Sequence, residues 1–483
     1  MKKTFVMTAG LALLLLLAAC GTEKPTEPAD TLSTAGAASA ETEPAAPVYL
    51  DSLPEDMDLG GYNIRMLGGL QFGVDPEEAV DIVSDLLYRR QLTVEDRLNC
   101  HVTDIEYDGD GWNVFVSLVR KSVMAGQDDY DVVCGNLWWA SPLSFTGYLL
   151  NLRDAPNIDL SQPWWGTDFI KGMGCGDIFY WLTGNLDTSW TSFKMCNFFN
   201  KKMWEAHYED FTPYDLVREG KWTLDKLREV TIDIYSDING NGAYDDDQDV
   251  FGFGVANDMM VESYAVAAGV KVAPLGSDGM PYVEIAYDPQ RIIDFWTKFW
   301  PLKEARSYCH IDYNRSEFSY FAAGRILVTT GWIANIEDSL RSMEDDFGIL
   351  PLPKLNESQE NYITAFKDSV AIYGIPTTVS EEGLNAGTAM MEAAAAYGYQ
   401  FVAPAYYEDC LKNKYIRDED SIEMIDLMAG NPVSDFGVQY IDFGFCEFIE
   451  HGVTSSDIAS KIEKRAAVFQ RKLDTMLEKM KDN

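Results

Sequence analysis

Basic residues and histidines are scarce in this sequence of 483 residues. Lysine and arginine number 38 against 77 aspartates and glutamates, which leaves a formal net charge of −39. Nucleic acid and anionic lipid surfaces repel such a chain, so neither is an expected partner. The four histidines do not occur in a metal-ligand or catalytic-triad pattern, and this argues against histidine-based chemistry; they are His101, His207, His310 and His451.

Other enzyme signatures are also missing. The sequence contains neither GxSxG nor a P-loop, and the glycines at 172–176 lack the rest of a dinucleotide-binding fingerprint. A glycoside hydrolase needs only two carboxylates at a suitable separation, so the abundant acidic residues leave that activity open.

Cysteines are few and show no metal or disulfide pattern. There is no CxxC pair, and the seven that follow Cys20 are Cys100, Cys134, Cys175, Cys196, Cys309, Cys410 and Cys446. An odd number spread along a chain of this length predicts neither a disulfide scaffold nor a zinc site. We expect mostly buried thiols, and the sequence leaves a single bridge open.

The N-terminus has the pattern of an export signal. Lys2 and Lys3 precede an apolar stretch at 5–19, which is shorter than the roughly 20 residues that span a bilayer. Residues 1–19 are therefore predicted to be a signal peptide. Leu17-Ala18-Ala19-Cys20 resembles the lipobox of bacterial lipoproteins, which implies a diacylglycerol and a further acyl chain such as palmitate on Cys20. The alternative is an ordinary secreted protein in which Cys20 occurs by chance.

The segment after Cys20 is predicted to be a tether. Residues 21–48 are mostly Thr, Glu, Pro, Ala, Ser and Gly, so they cannot bury enough surface to offset their ordering entropy. We assign residues 20–56 to a lipid-anchored flexible tether. Several acyl chains anchor firmly, so the folded remainder is expected at the extracellular face of the cell membrane.

The chain after the tether alternates strand and helix patterns. Strands are predicted at 60–68, 101–107 and 130–134, with helices at 83–98 and 111–124 between them. Further strands are predicted at 178–182, 251–255, 324–330, 347–352 and 369–373. Thr223 is a predicted helix N-cap, and an amphipathic helix at 458–480 ends the chain. This alternation predicts an α/β fold with a largely parallel sheet.

One local motif is that of a cation-binding loop. Asp237, Asn239, Asn241, Ala243 and Asp245 occupy alternate positions around a glycine, as in an EF-hand calcium loop. Gln248 stands where such a loop has its closing glutamate, so Asp249, Asp247 or a distant residue would have to supply that carboxylate. We expect a structural Ca²⁺ here and no required cofactor; the alternative is a metal-free turn.

Aromatic side chains cluster near predicted strand ends, together with Asn and Asp. Sugar rings stack their C–H faces on aromatic rings, and open α/β sheets bind ligands beyond the carboxyl ends of their strands. Core packing is an equally good explanation for each ring taken singly, including Trp164 and Trp165. The predicted ligand-binding residues are Trp138, Trp139, Tyr180, Asp187, Trp190 and Trp332.

Several segments in a specific order resemble the family 1 extracellular solute-binding lipoproteins of carbohydrate ABC transporters. They are residues 197–204 (NFFNKKMW), 213–217 (PYDLV), 220–223 (GKWT), 321–325 (FAAGR), 347–354 (FGILPLPK), 405–407 (AYY) and 417–421 (RDEDS). The resemblance implies a type II periplasmic-binding-protein-like fold, with two α/β lobes, a hinge of crossover strands and C-terminal helices. It places residues 57–180 with 335–395 in lobe 1, and residues 181–334 with 396–483 in lobe 2.

The same resemblance implies a function without covalent chemistry. A monomer would capture a sugar or oligosaccharide between its lobes and deliver it to ABC transporter permease subunits. Two other functions stay open at this point. One is a surface-anchored carbohydrate-active enzyme such as a glycoside hydrolase, and the other is a receptor for peptides or another solute.

Overall fold

The computed structural model describes residues 50–68, 81–107, 112–242, 249–255, 258–310, 317–408, 418–430, 432, 435–451 and 458–482. The predicted signal peptide, Cys20 and most of the predicted tether lie outside the described residues. So do Ala243 and Asp245 of the predicted calcium loop.

Ten β-strands lie in the described part of the chain. They are β1 (Tyr62–Leu67), β2 (Cys100–Ile105), β3 (Val132–Asn136), β4 (Met195–Asn200), β5 (Tyr235–Ser236), β6 (Val250–Val255), β7 (Tyr308–His310), β8 (Ile326–Trp332), β9 (Phe347–Leu350) and β10 (Ala371–Gly374).

Eighteen α-helices lie in the same part of the chain. The first nine are α1 (Ile82–Leu98), α2 (Trp112–Met124), α3 (Leu137–Ala140), α4 (Thr167–Gly172), α5 (Ser189–Ser192), α6 (Lys201–His207), α7 (Pro213–Arg218), α8 (Leu224–Thr231) and α9 (Asp258–Ala267). The others are α10 (Gln290–Lys303), α11 (Glu317–Ala322), α12 (Asn335–Asp338), α13 (Glu381–Tyr397), α14 (Ala403–Ala405), α15 (Glu419–Ala429), α16 (Phe436–Gln439), α17 (Phe445–His451) and α18 (Ile458–Asp482).

Local sequence signals explain where several helices begin and end. The Asp81 carboxylate accepts hydrogen bonds from the N–H groups of Val83 and Ser84 and starts α1, which Asn99 ends in a left-handed conformation with a φ of 47°. Thr223 caps α8, as predicted, through its hydroxyl and the N–H of Lys226.

The strands form two sheets. The first has the order β10-β3-β1-β2, in which β1 pairs in parallel with β2 and β3, while β10 is antiparallel to β3. The second has the order β5-β6-β8-β4-β9, with β7 beside β6. In it β4 runs antiparallel to both β8 and β9, so this sheet is mixed rather than largely parallel as predicted.

Three segments connect the two sheets, and they contact one another. Residues 137–194 lead from β3 to β4, and residues 351–370 lead back from β9 to β10. The third is α13, which packs in the core of the first sheet and continues through a π-helical turn, Gly398–Val402, to Tyr406 in the core of the second. Gly398 is required at this crossing, because a Cβ there would overlap the carbonyl oxygen of Asn185.

One predicted strand is wrong, and one strand pairs in a way that the sequence did not indicate. Residues 178–182 do not form a strand within a sheet and make only isolated bridges, from Ile178 to Cys175 and from Leu182 to Tyr373. β9, which the predicted boundary at 334/335 assigns to lobe 1, is hydrogen-bonded to β4 in the second sheet, and the lobe boundaries stay a prediction. An apolar strand pattern does not reveal its pairing partner, so the sequence did not indicate the pairing of β9.

Candidate functional site

The candidate site lies where the carboxyl ends of β3 in the first sheet and β8 in the second meet the connecting segments. In the first sheet β3 ends at Asn136, and in the second β8 ends at Trp332. The two long connecting segments run side by side between them, since the N–H of Met195 donates to Ala365 O at 2.9 Å and that of Lys367 to Phe193 O at 2.8 Å. Ligands of open α/β sheets bind at this kind of edge.

A short turn after β3 places two tryptophans at this edge. The Asn136 side chain accepts a hydrogen bond from the N–H of Trp139 at 3.0 Å and so caps α3. The N–H of Trp138 donates to Asp368 O at 2.8 Å, which joins the first sheet to the second connecting segment. Trp138 is partly buried, whereas Trp139 is 37% exposed and offers its ring to solvent.

Trp332 occupies the corresponding strand end in the second sheet. Its backbone N–H donates to the Oδ1 of buried Asn335 at 2.8 Å, which fixes the end of β8. The Nζ of Lys367 lies 3.9 Å from the centroid of the Trp332 ring and 5.3 Å from that of Phe193. The distance to Trp332 is that of a close cation–π contact.

Two carboxyl groups with altered acidity belong to the same region. Burial raises the pKa of Glu262 in α9 to about 8, and the negative charges of Asp368 and Asp435 add to the effect. Burial also raises the pKa of Asp368, against the opposing influence of the Ser369 hydroxyl and the Lys367 ammonium. A protonated carboxyl donates a hydrogen bond and an ionised one accepts, so this pair can serve either role toward a hydroxyl-bearing ligand.

The structure gathers Trp138, Trp190 and Trp332 around residues 366–368. Trp190 stacks on Phe366 with ring centroids 4.6 Å apart and an interplanar angle of 21°, and it is partly buried. Each of the three tryptophans thus contacts one residue of this segment. Their participation in ligand binding stays a prediction.

Tyr180 and Asp187 are not brought to this place. Tyr180 is only 3% exposed, and its hydroxyl donates to the backbone oxygen of Met480 in α18 at 2.8 Å. Asp187 is 5% exposed and accepts hydrogen bonds from the N–H of Ser189 at 2.7 Å and from the hydroxyl of Tyr373 at 3.2 Å. Both side chains are held inside the protein by these contacts.

Glu262, Phe193 and residues 366–369 of the second connecting segment are not among the residues predicted from the sequence. Glu262 has no distinctive sequence context, because it is one of 77 acidic residues. A signal did exist in Lys367-Asp368-Ser369, a polar triplet that ends one residue before the buried strand β10. Such a triplet at the entry of a buried strand could have marked this edge of the sheet.

Trp164 and Trp165 have a structural explanation. Both indole N–H groups donate to the carboxylate of buried Glu392 in α13, at 3.1 and 2.9 Å. The Ser52 hydroxyl donates to the same carboxylate at 2.5 Å, which ties the first described residues to α13. The Glu392 carboxylate therefore joins the two indoles and the N-terminal segment to α13.

Part of the predicted calcium loop is described. Both oxygens of the Asp237 carboxylate accept backbone N–H groups of its own loop, from Gly240 and Gly242 at 2.7 Å each, and Asn239 accepts from Asn241 at 2.9 Å. Asp249 is buried and accepts a hydrogen bond from the Tyr235 hydroxyl at 2.6 Å. These bonds account for the turn, and calcium binding stays a prediction.

Comparisons with known proteins were made by sequence and by structure. No model of a protein family matches the sequence, and no curated protein matches it. Solved structures do match. UgpB from Mycobacterium tuberculosis, solved with glycerophosphocholine, is 16% identical with a TM-score of 0.52 and covers 87% of this chain and 99% of its own. A family 1 extracellular solute-binding protein from Bifidobacterium longum subsp. infantis is 12% identical, with a TM-score of 0.51, and covers 85% and 100%.

Maltose-bound MalE3 of T. maritima is 14% identical, with a TM-score of 0.50, and covers 84% of this chain and 100% of its own. The chain has the two-lobed α/β fold of periplasmic binding proteins. The predicted fold class is thereby confirmed. In the described residues, no helix combines the length and the apolar character needed to cross a membrane.

Proposed function

We propose that this two-lobed protein is the substrate-binding subunit of an ABC importer, which captures a sugar or oligosaccharide and delivers it to permease subunits. The observation that carries the proposal is the meeting of aromatic rings and polar groups at the carboxyl ends of both sheets. Trp138 and Trp139 lie in α3 next to the end of the first sheet, Trp332 ends β8 in the second, and Lys367 and Asp368 lie in the segment between the sheets. Solved proteins of this fold that bind sugars, such as maltose-bound MalE3, support the proposal.

The mechanism follows from where these residues lie. A ligand that contacts groups from both sheets favours the closed arrangement of the lobes by its differential binding free energy. The connecting segments are the hinge in this scheme, because only they join the sheets through the backbone. No covalent step is required of the chain, and the proposed permease recognises the closed form.

Titration with saccharides tests the proposal. We expect tryptophan fluorescence and calorimetry to detect binding of at least one member of a panel of neutral mono- and oligosaccharides. Trp332→Leu should weaken that binding by about 3- to 10-fold through loss of aromatic contact. Tyr287→Leu is a matched control, since Tyr287 is an aromatic residue with 76% exposure outside the site.

Two outcomes would favour other functions. Binding of a peptide, with no response to any saccharide, would favour a receptor for another solute. Hydrolysis products that disappear in Glu262→Gln or Asp368→Asn would favour a glycoside hydrolase. The proposal requires an intact saccharide after incubation and saturable binding.

Membrane anchoring through Cys20 is part of the proposal and has its own test. Metabolic labelling with a palmitate analogue should mark the full-length protein in a bacterial host that processes lipoproteins. Cys20→Ser should remove the label and release the protein from the membrane fraction, whereas Cys100→Ser should keep both. Labelling that survives Cys20→Ser would refute the predicted lipid site.

A further inference from the structure

Lys367 lies directly on the aromatic surface that the proposed function assigns to the ligand. Its Nζ is 3.9 Å from the centroid of the Trp332 ring, and Phe193 extends the aromatic surroundings at 5.3 Å. Indole is the best aromatic partner for an ammonium group. The face of Trp332 on this side is therefore covered by a positive charge from the protein itself.

The backbones of both residues are fixed, so only the lysine side chain can yield. The Lys367 N–H donates to Phe193 O at 2.8 Å, and its carbonyl accepts from the N–H of Val370 at 3.2 Å. Trp332 is held through Asn335, and its ring meets the ring of Phe318 edge-on with centroids 6.3 Å apart. The four-carbon stem of lysine is flexible, whereas the indole is confined by its neighbours.

A sugar ring that stacks on this face needs the space that the ammonium occupies. Stacked rings approach to centroid distances of roughly 4.5 Å or more, which places a ligand ring where Nζ now lies. A neutral saccharide must therefore break the cation–π contact before it can stack. On the basis of the proposed function, we infer that Lys367 is a specificity-determining residue, whose ammonium competes with neutral saccharides for the face of Trp332.

Removal of the charge with retention of the stem tests this inference. Lys367→Met should bind the saccharide selected by the wild-type protein about 3- to 10-fold more tightly in calorimetry, since the competing contact is lost. Lys202→Met is the control, because that lysine side chain is 77% exposed and pairs with Asp345 instead. It should bind as the wild type does.

A double-mutant cycle shows whether Lys367 acts through Trp332. In the Trp332→Leu background, Lys367→Met should produce no gain in affinity. Weaker or unchanged binding by Lys367→Met in the wild-type background would overturn the inference and leave the proposed function standing. Absence of saccharide binding by the wild type and by Lys367→Met would refute the proposed function and this inference together.

Discussion

Replacement of Glu262 by glutamine should make the stability of the protein less sensitive to pH. Glu262 lies in α9, and the charges of Asp368 and Asp435 and a hydrogen bond with the Cys446 thiol act on its carboxyl group. Burial raises its pKa to about 8, whereas an unfolded glutamate has a pKa of about 4.3. Between these values the folded state retains a proton that the unfolded state has lost.

The sign and size of the effect follow from proton linkage. Because the folded state binds more protons, the free energy of unfolding falls as pH rises, by up to about 1.4 kcal/mol per pH unit. The interval from about pH 5 to about pH 7 would then cost nearly 3 kcal/mol. Part of the Glu262 surface reaches solvent, so we take about half of that, or 1–2 kcal/mol. Glutamine does not titrate and should remove this loss.

Thermal unfolding of both proteins across pH tests this reasoning. We expect similar melting temperatures near pH 5 and a higher melting temperature for Glu262→Gln near pH 8. Glu382→Gln, an exposed glutamate at the start of α13, is the control for the loss of one negative charge. A difference between Glu262→Gln and the wild type that is the same at both pH values would refute a buried, proton-retaining Glu262.

Three further predictions concern positions outside the candidate site. Glu392→Gln should lower the free energy of unfolding by about 1–3 kcal/mol, because an amide NH₂ replaces one of the two oxygens that accept from the indole N–H groups. Chemical denaturation measures this, and an unchanged midpoint would contradict it. Burial lowers the pKa of Lys194 to about 8, so near pH 7 the folded protein must bury a charged ammonium group. Lys194→Met should therefore raise the melting temperature near pH 7, and the gain should shrink by about pH 10, where the buried lysine is neutral. A gain that is the same at both pH values would contradict the lowered pKa of Lys194. If the predicted loop binds Ca²⁺, EDTA should lower the melting temperature of the wild type and leave that of Asp237→Ala unchanged, whereas equal responses would argue for a metal-free turn.

The first sheet was largely predictable because its signals are local. The periods of the apolar residues located β1, α1, β2, α2 and β3 to within a few residues. The residue types that helices prefer at their N-terminus also predicted Thr223 as an N-cap. The mixed second sheet was less predictable, because β4 pairs with residues of β8 and β9 that are 129 or more positions away, as the pairing of Phe199 with Val328 shows.

The residues of the candidate site were likewise only partly predictable from the sequence. Trp138 and Trp332 could be predicted to lie at this edge, because Trp332 ends β8 and Trp138 comes two residues after the end of β3. Tyr180 and Asp187 have similar sequence surroundings, but contacts with Met480 and Tyr373 enclose them. Sequence proximity to a strand end shows where a side chain starts, and the partners that cover it come from distant parts of the chain.

By itself, the sequence determined the α/β class, the predicted export signal, the acidic charge and the candidate aromatic residues, because these depend on composition and short-range periodicity. Only the tertiary structure decided which rings meet and which carboxyls are buried together. It brought Lys367 onto Trp332 and Glu262 within reach of the charge on Asp368. These encounters depend on how two sheets and three connecting segments pack, and packing is a property of the whole chain.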